Sequence, residues 1–357
     1  MEVSKHYNDT QWSTDFCTSC RRLFPGCINS GELIDVHLPQ NPEQKACTLC
    51  QFLGMLLSPQ LDFQFVGGCA GWLDYGFPWC TSRYQLAIER ILGSEHRPVS
   101  FFRPIKDGGN LCKYLHILPD NVFRRLNKIQ PTIDYKQIAT WLNECSKRHG
   151  SQCYGQKLGE LEDLHMKTID CRTLAVVPAV VGESYATLSY VWGQSTAATQ
   201  SIKNTSSALQ LEPPATIKDA IKVCLELGFR YLWVDKFCIS QARPEETRRQ
   251  VQKMDAIYRG SSLNIIDGSG VNPDQGLPGV SRIRSVFPSV TIAQDQHLVA
   301  LPSIEDLGES AWFFRGWTYQ EALVSNRQLV FTDQQVYLHC RKGFKMEPYM
   351  SRSPTMF

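Results

Sequence analysis

Tyr185-Ala-Thr-Leu-Ser-Tyr-Val-Trp-Gly193 is a short apolar run that stops at a glycine. Further on, Leu227-Gly-Phe-Arg-Tyr-Leu-Trp-Val-Asp-Lys-Phe-Cys-Ile-Ser-Gln241 repeats the pattern. Both are rich in aromatic and β-branched residues and end on polar ones. Parallel strands buried on both faces read as such continuous apolar runs. Open α/β sheets gather functional groups at their carboxyl ends. Ser189–Gly193 and Asp235–Gln241 are therefore expected side by side on one sheet rim, with Asp267 joining them from a third strand.

The surrounding segments fit an α/β alternation. Thr168–Val177, Tyr185–Val191, Tyr231–Val234 and Ser262–Ile266 read as strands. Thr216, with Asp219 three residues later, reads as the N-cap of a helix running to Gly228. Its apolar stripe is Ile217, Ala220, Ile221, Cys224, Leu225 and Leu227. Pro244–Tyr258 is expected as one helix, with Glu245 and Glu246 at its positive end and Val251, Met254, Ile257 and Tyr258 facing inward. Val286–Ile292 and His297–Leu301 read as further strands. Gln328–Thr332 and Gln335–His339 read as a late β-hairpin, and the tail beyond Gly343 as frayed. Strands alternating with helices give an α/β fold with a parallel sheet.

The N-terminal part is different. Cys17-Thr-Ser-Cys20 and Cys47-Thr-Leu-Cys50 form a CxxC pair, and four thiolates so arranged can close a tetrahedral zinc site. His37 and Cys27 are substitute ligands. A helix Thr48–Leu57 and a strand Ser100–Pro104 complete a cysteine-rich α/β extension. The aromatics of residues 61–83 fit core packing better than a pocket. A helix over Tyr135–Arg148 puts Cys145 and His149 on one face, and Gly150 lets Cys153 fold back. Two or three ligands are fewer than a closed zinc site needs, so a helix-end histidine beside buried thiols is the favoured reading. The chain divides on this basis into 1–165 and 166–345.

The totals exclude several classes. Of 357 residues, 43% are hydrophobic and 20% charged, and the net charge is +2. No basic block suggests nucleic acid, and no apolar run suggests a membrane span. The first ten residues lack the apolar core of a signal peptide, which predicts a cytoplasmic chain. Fourteen cysteines in such a chain point to metal ligation or buried thiols rather than disulfides.

One family shows these motifs in this order: Ala186-Thr-Leu-Ser-Tyr-Val-Trp-Gly193, Ile217-Lys-Asp-Ala-Ile221, Trp233-Val-Asp235 with Cys238-Ile-Ser-Gln241, Met254-Asp-Ala-Ile-Tyr258, Gly276-Leu-Pro-Gly279 and Arg315-Gly-Trp-Thr-Tyr-Gln-Glu321. The chain resembles the fungal heterokaryon incompatibility (HET) domain family. That resemblance implies a flavodoxin-like core similar to TIR domains, and a role in non-self recognition and programmed cell death. Because some TIR domains cleave NAD, it also implies NAD as a candidate substrate.

Scission of a nicotinamide–ribose bond needs a carboxylate beside an oxocarbenium-like centre. Asp235, Glu245, Glu246 and Glu321 are the candidates, with Asp235 and Glu246 foremost. Arg315 and Glu321 read rather as a structural ion pair. The sequence also departs from the family pattern, with Lys236 after the aspartate, Gln194 after Gly193, Ala242-Arg243 after the glutamine, and Asp267 at a strand end. Those departures suggest a second function, an enzyme of natural-product biosynthesis such as a cyclase or pericyclase acting on an apolar metabolite. Tyr190, Trp192, Lys236 and Asp267 would carry it. A third reading is a self-associating signalling module without catalysis.

Overall fold

The computed structural model describes residues 16–18, 20, 33–36, 46–56, 63–67, 97–104, 110–124, 126, 129–153, 165–193, 202–205, 208–239, 244–284, 289–293, 295–300, 307 and 310–347. His37, Cys27, Gln194 and Ala242-Arg243 lie outside them, as do most of the aromatics of 61–83. The chain forms two units by its internal contacts. One holds residues 1–128, 287–304 and 348–354; the other holds 129–286, 305–347 and 355–357.

The first unit contains helix α1 (Thr48–Leu56), the short helix α2 (Asp120–Phe123) and a six-stranded antiparallel sheet. The strands are β1 (Leu33–Val36), β2 (Phe63–Gly67), β3 (Arg97–Pro104), β4 (Asn110–Pro119), β12 (Ser289–Ala293) and β13 (Gln296–Val299), in the order β1-β2-β3-β4-β13-β12. Within this unit, His297 Nε2 meets Asp120 Oδ1 at 3.1 Å.

The second unit holds a ten-stranded mixed sheet. Its strands are β5 (Lys167–Asp170), β6 (Ala175–Pro178), β7 (Tyr185–Ser189), β8 (Ile202–Thr205), β9 (Ala208–Leu211), β10 (Tyr231–Trp233), β11 (Leu263–Asp267), β14 (Arg327–Phe331), β15 (Val336–Cys340) and β16 (Gly343–Met346). The order is β16-β15-β14-β11-β7-β10-β5-β6-β9-β8. Only the centre is parallel: β7 pairs in parallel with β10 and β11, and β11 with β14. Every residue of β7, β10 and β11 is buried, as the unbroken apolar runs require. Across the β7–β11 pair, Thr187 Oγ1 lies 3.1 Å from Asn264 Oδ1.

The helices of this unit are α3 (Tyr135–His149), α4 (Ala215–Glu226), α5 (Asp235–Cys238), α6 (Pro244–Gln252), α7 (Met254–Gly260) and α8 (Gly316–Val324). Asp134 caps α3 by accepting the Lys136 and Gln137 N–H groups. α4 buries Ile217, Ala220, Ile221, Val223 and Cys224, and each isoleucine contributes roughly 1.5–3 kcal/mol by burial.

Several expectations are corrected. Thr168–Val177 is two antiparallel strands, because Leu174 (φ 58) turns the chain and its N–H bonds the Asp170 carbonyl. Thr216 does not cap α4; its N–H goes to the Pro273 carbonyl (2.9 Å), while Asp219 accepts the Leu277 N–H (2.7 Å) and the Ser281 hydroxyl (2.5 Å). The helix from Pro244 breaks at Lys253, whose N–H bonds the Gln250 carbonyl in a tighter turn. The break leaves Val251 exposed, and Leu225 is exposed too. Residues beyond Gly343 pair as β16, and Glu347 forms a buried ion pair with Arg284.

Candidate functional site

β7 and β10 leave the sheet side by side, so their carboxyl ends share one rim. Ser189 is the last residue of β7, and Tyr190 and Trp192 follow it. Asp235 follows β10 and opens the single turn of α5. Gly193 (φ 63) reverses the chain after Trp192, in the left-handed region that glycine favours. A Cβ added there would lie 2.9 Å from the Asn272 side chain.

From across the sheet end, α8 contributes Glu321, which is 7% exposed. Its carboxylate accepts a hydrogen bond from the Ser189 hydroxyl. Ser189 Oγ in turn accepts the Trp312 indole N–H at 2.8 Å. The Tyr258 hydroxyl donates to the Leu188 carbonyl at 3.3 Å, and its nearness favours the ionised form of Glu321. The Thr318 hydroxyl donates to the Trp312 carbonyl, which fixes the start of α8 against the tryptophan. Burial pushes the Glu321 carboxyl up to about 7; the Asp235 charge adds to the rise, and the Ser189 hydrogen bond opposes it.

Asp235 is the second carboxyl. It accepts the Trp192 indole N–H at 3.1 Å and its neighbour's backbone N–H, from Lys236, at 2.6 Å. Burial pushes it up to about 6. The residue nevertheless keeps some solvent contact, so water screens its charge more than that of the buried Glu321. The Lys236 ammonium lies 5.9 Å from the centre of the Trp192 ring. Tyr190 is buried, and among the described residues its phenolic oxygen has no hydrogen-bond partner.

Arg315 donates to the Tyr190 carbonyl at 2.7 Å. Among the described residues no ion pair joins it to Glu321. Its charge eases the ionisation of both carboxyls without touching them. The expected Arg315 partner of Glu321 is thus replaced by the Ser189 hydroxyl. The signal present was its place at the end of the Arg315–Glu321 motif, but nothing local tied that motif to Ser189.

The other candidates lie apart from these contacts. Asp267 closes β11, is pushed up to about 6 by burial, and accepts the Gly270 N–H at 2.9 Å. With Thr216 Oγ1 3.5 Å from its other oxygen, it organises the turn after the strand. Glu246 stands half-buried in the first turn of α6.

Among the described residues two clusters could hold a metal ion. In the first unit, the buried Cys17, Cys20, Cys47 and Cys50 bring their sulfurs within 4.8 Å of one another. Cys50 lies 3.8 Å from Cys17 and 3.4 Å from Cys20. Zn–S bonds of about 2.3 Å place tetrahedral sulfurs ~3.8 Å apart, far beyond a disulfide. The second cluster, in the second unit, is Cys145, His149, Cys153 and Cys340. No described helix is long and apolar enough to cross a membrane.

No curated protein and no solved structure matches the chain significantly. A family model does match: that of the heterokaryon incompatibility protein (HET), over residues 185–321. The match begins at the first residue of β7 and ends on Glu321, so it encloses both carboxyls, the strands β7 and β10 and the part of α8 that carries Glu321. The segment that builds this rim belongs to the heterokaryon incompatibility (HET) family.

Proposed function

We propose that the chain is an incompatibility-type effector of a filamentous fungus whose HET segment cleaves the glycosidic bond of a nicotinamide nucleotide such as NAD. One observation carries this reading: a buried glutamate, Glu321, held by Ser189 at the carboxyl end of β7 and electrostatically linked to a second carboxyl, Asp235. Scission of such a bond builds positive charge on the ribose, and a carboxylate in a water-poor site stabilises that charge strongly. Glu321 takes this role, and the more solvated Asp235 serves as the base for the attacking water. Tyr190 and Trp192 supply a free phenolic group and an aromatic face.

The central parallel strands, in the spatial order β10-β7-β11-β14, run second, first, third, fourth along the chain. This supports a flavodoxin-like, TIR-like core. Such sheets bind ligands outside the carboxyl ends where the winding reverses, here between β7 and β11. The paired carboxyls weigh against a cyclase for an apolar metabolite, which needs an apolar rim. Self-association finds support in the exposed Phe314 (77%) and Trp317 (60%). In the first unit, Cys17, Cys20, Cys47 and Cys50 fit a closed structural zinc site.

The test is nicotinamide release from NAD by the purified full chain, at low and high protein concentration. We expect release by the wild type and loss of at least a hundredfold in Glu321→Gln and in Asp235→Asn. No release by the wild type at any concentration, or undiminished release by Glu321→Gln, overturns the proposal.

A further inference from the structure

The second cysteine cluster is built from parts that no local pattern joins. The buried stripe of α3 runs Ile138, Trp141, Leu142, Cys145, and one turn further on the same face stands His149. Gly150 (φ 52) stops the helix, and the single 3-10 turn Gly150–Gln152 folds the chain back, with the Cys153 N–H bonded to the Gly150 carbonyl. That return sets Cys153 Sγ 3.6 Å from His149 Nδ1. The fourth member, Cys340, ends β15, and its sulfur is also 3.6 Å from His149 Nδ1. All four ligand atoms lie within 4.8 Å of one another.

We propose that Cys145, His149, Cys153 and Cys340 form a second structural zinc site, of Cys₃His type, that clamps the end of α3 to the end of β15. Bonds of about 2.3 Å to sulfur and 2.0–2.1 Å to nitrogen set tetrahedral S···N edges of ~3.5–3.6 Å, and both S···N contacts, at 3.6 Å, meet them. The three cysteines are buried and form a small cluster of their own, apart from the main core of the unit. Three thiolates and one neutral imidazole around Zn²⁺ leave one net negative charge. Arg327, buried next to this site with its guanidinium 3.1 Å from Ser146 Oγ, supplies complementary charge. No coordination position is left for water or substrate, so the ion's role is to fix helix against sheet. The inference stands independently of the proposed chemistry at Glu321.

The experiment is metal stoichiometry of the full chain, purified without chelator, by native mass spectrometry and elemental analysis. Two zinc ions per chain are expected. Cys340→Ser should lose one, and Cys20→Ser/Cys50→Ser should lose the other. In the latter variant, cobalt substitution should give a tetrahedral ligand-field spectrum, and adding His149→Cys should shift it to that of a four-thiolate site while keeping the metal. If the serine variants fail to fold, the wild-type stoichiometry decides. One zinc or none in the wild type, or a disulfide between any two of Cys145, Cys153 and Cys340, overturns the proposal.

Discussion

Replacing Glu321 by glutamine should stabilise the protein at alkaline pH, even though the change removes its chemistry. Burial moves this carboxyl from its ordinary 4.5 to about 7. At about 1.4 kcal/mol per unit, the full shift is worth roughly 3 kcal/mol. The sign follows from linkage. The native state binds the Glu321 proton more tightly than the unfolded chain does, so this group's contribution to stability is full below pH 4.5 and is lost as the pH rises through 7. Glutamine is neutral throughout and escapes that loss. It can still accept from the Ser189 hydroxyl, so the substitution itself should cost no more than about 1 kcal/mol. The stability difference between Glu321→Gln and wild type should therefore swing by roughly 2–3 kcal/mol in favour of the variant between pH 5 and pH 8. Asp235 and Asp267 are common to both proteins and drop out to first order. Urea unfolding followed by tryptophan fluorescence reads this unit through the buried Trp233 and Trp312. With a slope of about 2 kcal/mol per molar urea, the swing appears as a midpoint change of about 1–1.5 M. A swing below about 0.5 kcal/mol would mean that Glu321 ionises near its ordinary value and is not held protonated by burial.

Other consequences follow from single contacts. Nicotinamide release, if it depends on ionised Glu321, should rise with pH through about 7 and level off above it; a flat profile from pH 5 to 8 removes Glu321 from the reaction. Gly193→Ala meets both a left-handed backbone and the Asn272 side chain, so it should cost about 1–3 kcal/mol in thermal or urea unfolding; a neutral effect shows that the turn can relax. Arg284 and Glu347 are both buried and paired, and Arg284 also holds the Gln130 and Thr132 carbonyls at 2.7 and 3.0 Å. Arg284→Met should therefore cost about 3–5 kcal/mol by stranding a buried carboxylate, and adding Glu347→Gln should recover part of the loss. If zinc fills the site of Cys17, Cys20, Cys47 and Cys50, a chelator should unfold the first unit's cysteine region, seen as new thiol reactivity at Cys47 and Cys50; unchanged reactivity removes zinc from that site.

The central strands were legible because burial on both faces leaves an unbroken apolar run, as in Tyr185–Ser189 and Leu263–Asp267. The paired CxxC motifs were legible because two short turns carry all four clustered cysteines. Helix starts and ends were read less well where partners came from afar. Thr216 looks like a cap, yet the loop after Gly270 supplies what the helix end needs. The chain past Gly343 looks free, yet it adds β16 to the sheet and gives Arg284 its counter-charge.

The amino-acid sequence by itself determined the alternation of strand and helix, the polar residues at the ends of β7 and β10, and the family to which residues 185–321 belong. Each is written in local periodicity or in motif order. Only the tertiary structure decided which carboxyl sits under Ser189, and that Cys340 meets His149. Those pairings span 132 and 191 residues, and no local pattern encodes them. They exist because the sheet order sets α8 over the end of β7 and β15 beside the end of α3.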